Sequence, residues 1–164
     1  MDRIARCFIE QIIQGKQEEI GRTENARTMS VDDAKEAEGA MISRYDTFLE
    51  EAQYLAGGQS KRLAISLDVV VALQSLLVKN PNTASLAVVG SVVTATHFST
   101  NECKKYLMVM DGAGGDRFVD PRDGVEILSL SILSPLGRCM FEQEEGDTFT
   151  FPDVKNEWEI TEIL

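Results

Sequence analysis

The 164-residue chain contains one histidine and only three cysteines. A lone His97, with no second histidine and no cysteine pair beside it, is a poor nucleus for a metal site. Cys7, Cys103 and Cys139 are odd in number, far apart and outside any CxxC spacing. That argues against a disulfide framework or a zinc site and fits reduced thiols in a cytoplasmic protein. Basic residues are scarce as well: 16 Lys and Arg face 27 Asp and Glu, for a net charge of −11. A binder of naked DNA or RNA needs a cationic stripe to displace counterions from phosphates, so that class is disfavoured. Action on RNA held by another protein is still allowed. No apolar run approaches the roughly 20 residues of a membrane-spanning helix. The opening MDRIARCFIEQIIQ carries charges throughout and lacks the apolar stretch of a signal peptide.

Proline is absent from the first 80 residues; all four lie beyond, at 81, 121, 135 and 152. The chain therefore divides near residues 79–85 into 1–80 and 81–164. In the first part Ile4, Phe8 and Ile12, widened by Ile9, Ile13 and Ile20, mark a helix over about residues 2–27. Gly21, Thr23 and Asn25 weaken its distal end. Ser30 with Asp33 reads as a capping box opening a second helix, with a turn at 28–30. Ala37, Met41, Tyr45, Phe48, Ala52 and Leu55 then form a near-heptad seam, so the two helices should fold back antiparallel as a coiled coil. Gly57-Gly58 suggests a kink or break, with an extra helical segment at 60–78.

The second part carries β-rich runs at 86–96, 106–110, 125–130, 147–151 and 158–163. A short helix at 136–143 follows Ser134, a natural cap, and Pro135, suited to a first helical position. The expected class is α+β, with antiparallel strands and one short helix. The glycine-rich Asp111–Asp116 lacks the lysine and spacing of a phosphate loop and reads as a connection.

Ser134-Pro135-Leu136-Gly137-Arg138-Cys139-Met140, the link Glu144-Glu145-Gly146-Asp147 and the final Glu157–Ile163 resemble the C-terminal domain of the GreA/GreB bacterial transcript-cleavage factors. Gly90-Ser91-Val92-Val93 looks like that family's GSxVT strand, and residues 44–59 resemble a divergent, shorter hairpin of the same type. The resemblance implies an FKBP-like C-terminal domain at the rim of the RNA polymerase secondary channel and a helical hairpin inside it. Acids near the hairpin tip would then share a Mg²⁺ with the polymerase and promote cleavage of backtracked RNA. By this reading the chain is no enzyme itself, has no cofactor of its own and meets RNA only within the polymerase complex.

Residues 32–51 hold 7 acidic and 2 basic side chains, net −5. Asp32, Asp33 and Glu36 are the leading tip acids, with Glu38 and Asp46 behind them. Glu24, within Thr23-Glu24-Asn25-Ala26, echoes part of the family's tip motif and is a rival. Asp32 and Asp33 equally suit the first turn of a helix, where acids offset exposed N–H groups. Ser134, Pro135 and Arg138 are the candidate partner contacts; helix initiation, and an Arg138–Glu142 pair, are their structural alternatives. The family often has Asp or Asn where this chain has Leu133. A first helix of 26 residues spans only about 40 Å, short for such a probe. A non-catalytic polymerase-binding regulator, or a module self-associating through 60–78, are the other readings.

Overall fold

A computed structural model describes residues 1–36, 42–81, 85–152 and 156–164, without the side chains of 27–36, 42–56 and 59. Helix α1 spans Arg3–Glu36 and α2 spans Ile42–Lys79. Strands β1 (Val92–His97), β2 (Cys103–Val109), β3 (Arg117–Val119) and β4 (Glu126–Ser131) follow. Helix α3 (Pro135–Met140) and strands β5 (Thr148–Thr150) and β6 (Glu157–Ile163) complete the chain. Two compact units result: Met1–Ile13 with Ala72–Leu164, and Gln14–Val71.

The first helix is longer than its sequence pattern indicates. Asp2 starts it: its carbonyl accepts from the Arg6 N–H (3.0 Å) and its carboxylate from the Ile4 N–H (3.1 Å). Through the weak stretch, Lys16–Glu19 and Arg22–Glu18 pair one turn apart, and the Thr23 hydroxyl donates to the Glu19 carbonyl. The expected turn at 28–30 is absent, because α1 continues through those residues. Ser30 and Asp33 therefore form no capping box; they sit inside a helix. At 34 residues α1 is longer than the 26 read from the sequence, and its residues from Gln14 onward belong to the helical unit. Gly57-Gly58 does not break α2 either, so 60–78 continues the same helix. The seam read over 37–55 lies outside the described residues, by placement at 37 and 41 and by side chain at the rest. Within the helical unit, residues 19–26 of α1 and 62–66 of α2 line one cleft. With only residues 37–41 separating the helices at the other end, they run antiparallel. Asn80, at φ +43°, ends α2, and Pro81 bars its continuation.

The six strands form one sheet in the order β3-β4-β2-β1-β6-β5. It is mixed, not antiparallel throughout: β2 and β4 run parallel, from Lys105↔Ile127 to Val109↔Ser131. Residues 110–125 carry the chain back along the sheet edge as β3, and β4 then inserts between β3 and β2. Such a crossover is what a parallel neighbour requires. The strand expected from residue 86 starts only at Val92, because a turn closes at Gly90 (φ +98°), where Ser91 N–H donates to the Val88 carbonyl.

Both sheet faces are covered, so the end of β2 is buried at every position from Lys105 to Val109. On one face Val93, Ala95, Tyr106, Met108, Leu130 and Trp158 pack with Met140 of α3. On the other, the Phe8 ring of α1 stacks on Phe118 of β3 at 4.6 Å. Phe118 pairs with Ile127, and Ile127 with Lys105, so these share the face of Leu107 and Val109. Ala5, Ile9, Leu107, Val109 and Ile127 are fully buried.

Candidate functional site

The turn into α3 is built around a single carbonyl. The Ser131 carbonyl accepts from the Ser134 N–H (3.0 Å) and from the Ser134 hydroxyl (2.7 Å). The same hydroxyl accepts from the Gly137 N–H at 3.0 Å, the reach of an N-cap to N3. Ser134 is thereby committed to the fold. Pro135 occupies the first helical turn, needs no N–H partner there, and is exposed. Helix α3 stops at Met140, short of the expected residue 143. Beyond it Glu142 adopts φ +62°, and its N–H donates to the Ala87 carbonyl. A helical i,i+4 pairing of Arg138 with Glu142 is therefore lost, and Arg138 stays exposed. Leu133, 52% exposed, stands just before the cap. This turn presents Leu133, Pro135 and Arg138 to solvent on a rigid hydrogen-bonded base.

Asp32, Asp33 and Glu36 lie in the last turns of α1 rather than in the first turn of another helix. Helix capping does not explain acids there, since the C-terminal end of a helix carries the negative end of its dipole. Position 36 neighbours both 32 (i,i+4) and 33 (i,i+3) on the helix, while 32 and 33 lie about 100° apart around it. Asp46 falls in the second turn of α2, Glu38 lies outside the described residues, and Glu24 is exposed in mid-α1. Glu24 is about 18 Å before the end of α1, too far back for a tip residue.

Sequence reasoning missed a buried charge network beside β2. Lys105 donates to Asp120 at 2.7 Å and also to Asp123. Arg122 grips Asp120 with two nitrogens, at 2.9 and 2.7 Å. Asp120 is wholly buried. Arg122 holds the Asp120 carboxyl far below the usual carboxylate range; burial opposes this and Lys105 adds to it. Burial pulls the Lys105 ammonium down, but hydrogen bonds to Asp120 and Asp123 outweigh it and the net shift is upward. Lys104-Lys105 at the head of the apolar run Tyr106–Val109 was the available signal, and the structure buries only the second of the two. The network ties the β3–β4 turn to β2. His97 is likewise structural: its Nδ1 accepts from the Ser99 and Thr100 N–H groups (3.2 Å each), and its ring meets Trp158 edge-on. Among the described residues, no three His, Cys, Asp or Glu side chains converge as metal ligands, and no helix is long and apolar enough to cross a membrane.

No family model matches the sequence, and no curated protein does. Among solved structures, the chain is similar to GreA factor homolog 1 of Thermus thermophilus, at 15% identity and a TM-score of 0.37, covering 95% of this chain and 94% of that one. It is similar to the Thermus aquaticus homologue at 16% identity and a TM-score of 0.39, covering 92% of each. A transcription elongation factor GreA/GreB from Nitrosomonas europaea aligns at 19% identity and a TM-score of 0.35, covering 63% of this chain and 91% of that one.

Proposed function

We propose that this chain is an RNA polymerase-binding transcription regulator of the GreA/GreB type. Its helical hairpin enters the secondary channel and its β-rich unit docks at the rim. The observation that carries this reading is the concentration of acids at the end of the hairpin. Residues 32–51 are net −5, while the rest of residues 1–80 is net +2. Asp32, Asp33 and Glu36 stand where the helix dipole disfavours them, so a cationic partner surface gives them a role that the isolated helix does not. The α3 turn supports the docking half of the reading: Pro135, Arg138 and Leu133 are held outward while Ser134 fixes the shape beneath them. Leu133 makes that contact apolar, with Arg138 as its charged neighbour.

Regulation without cleavage is the first form of this proposal. Stimulated cleavage is the second, favoured by the acid cluster itself. Carboxylate oxygens suit Mg²⁺, but two of them form an incomplete ligand set, so the polymerase would supply the remaining ligands. Position 36 neighbours both 32 and 33, so Glu36 with either aspartate is the pair for one ion.

Backtracked polymerase complexes in Mg²⁺ decide between the two. A regulator changes elongation or pausing and blocks an added cleavage factor, with RNA 3′ fragments released at the polymerase's own rate. Asp32→Asn/Glu36→Gln then weakens the block about tenfold. Faster fragment release, abolished by the same double substitution, selects the cleavage form. Elongation, pausing and cleavage all unchanged at saturating protein would overturn both.

A further inference from the structure

Gly57 and Gly58 stand side by side in α2, and the helix passes through them without interruption. Both are exposed, and among the described residues a Cβ placed on either would meet nothing within 4 Å. Neither has the left-handed backbone that excludes other residues. Among the described residues, neither packing nor backbone geometry explains the choice of glycine. Gly90 is the opposite case: it has φ +98° and lies against Met1 and Leu76. A glycine inside an exposed helix favours the open state, because its backbone gains the most freedom when the helix opens. Two in succession compound the effect at one point of a 38-residue helix.

We infer that Gly57-Gly58 is an opening point built into α2. Local melting there lets residues 42–56 change direction relative to 60–71 while the remainder of the helix stays folded. Both segments belong to the same helical unit, Gln14–Val71. Such an event costs much less than global unfolding. Its consequence is that the distal part of α2, which carries Asp46, Glu50 and Glu51, adjusts its direction while the proximal part stays folded. The inference does not depend on the identity of the partner.

Amide hydrogen exchange on the full chain tests it. The N–H groups of residues 58–62 bond carbonyls one turn earlier and so span the glycine pair. In Gly57→Ala their exchange slows about fivefold, and in Gly57→Ala/Gly58→Ala about 20-fold, the ratios set by the difference in helix propensity. Exchange in β2 is unchanged and the thermal midpoint rises. Unaltered exchange at 58–62 would overturn the inference. Equal slowing along the whole of α1 and α2 would also overturn it, because opening would then be a property of the entire hairpin. A lowered midpoint in either variant would overturn it by showing that glycine is needed for packing.

Discussion

Replacing Gly137 with alanine destabilises the β-rich unit by about 3 kcal/mol or more. A Cβ at this position would lie 2.0 Å from the Ser131 carbonyl oxygen and 2.9 Å from the Ser134 hydroxyl oxygen. The first contact is with backbone, which no side-chain rotation relieves. That oxygen is also the acceptor for both the Ser134 N–H and the Ser134 hydroxyl, so moving it disturbs the whole turn. Because α3 covers one face of the sheet through Met140, the damage reaches the core around Trp158. Trp158 fluorescence in urea reads it out: the midpoint falls by about 1 M or more, given slopes of about 1–3 kcal/mol per molar. Ser134→Ala, which loses a cap without creating a clash, costs only about 1 kcal/mol. Equal losses for the two would mean that the cap, and not the close approach, governs the turn.

Asp120→Asn costs about 3 kcal/mol near neutral pH, because it removes the charge that balances a buried ammonium and a guanidinium. The loss depends on pH in a fixed direction. The folded Asp120 carboxyl is held below its ordinary value of 3.8, chiefly by Arg122. Its stabilisation is therefore fully present above the unfolded value and is lost as pH falls toward the folded one. Wild type and variant should differ most at about pH 5–7, and the gap should narrow progressively as pH falls below about 4. Urea unfolding at a series of pH values measures the gap. A gap that persists undiminished down to about pH 2 would show that Asp120 acts through shape and not through its charge.

Local chemistry made some of this architecture legible and left the rest hidden. Ser134-Pro135 announces a capped helix from two adjacent residues, and the structure has that helix. Where α3 ends was hidden, because Glu142 pairs with Ala87, far away in sequence. The apolar runs Tyr106–Val109 and Ile127–Leu130 mark strands without marking their direction, so the expectation of antiparallel strands fails at the β2–β4 pair. The three residues of β3 were too few to register, although Phe118 ahead of the Asp120–Gly124 turn was a usable sign. Ser30 and Asp33 misled because a cap residue three positions before an acid also occurs inside long helices, and only tertiary context separates the two cases. The Lys105–Asp120–Arg122 network depends on a sheet that sequence spacing does not reveal. The acids at 32–36 were visible as charge, but their place at the end of α1 emerged only from the full length of that helix.

Binding of the 164-residue chain to purified core RNA polymerase is the most direct measurement, taken at low and at raised salt. The account predicts a saturable complex that weakens with ionic strength, weakens further in Asp32→Asn/Glu36→Gln, and is displaced by a GreA-type factor competing for the same channel. A chain that forms no complex at low salt, or binds equally well beside a saturating competitor, would contradict it.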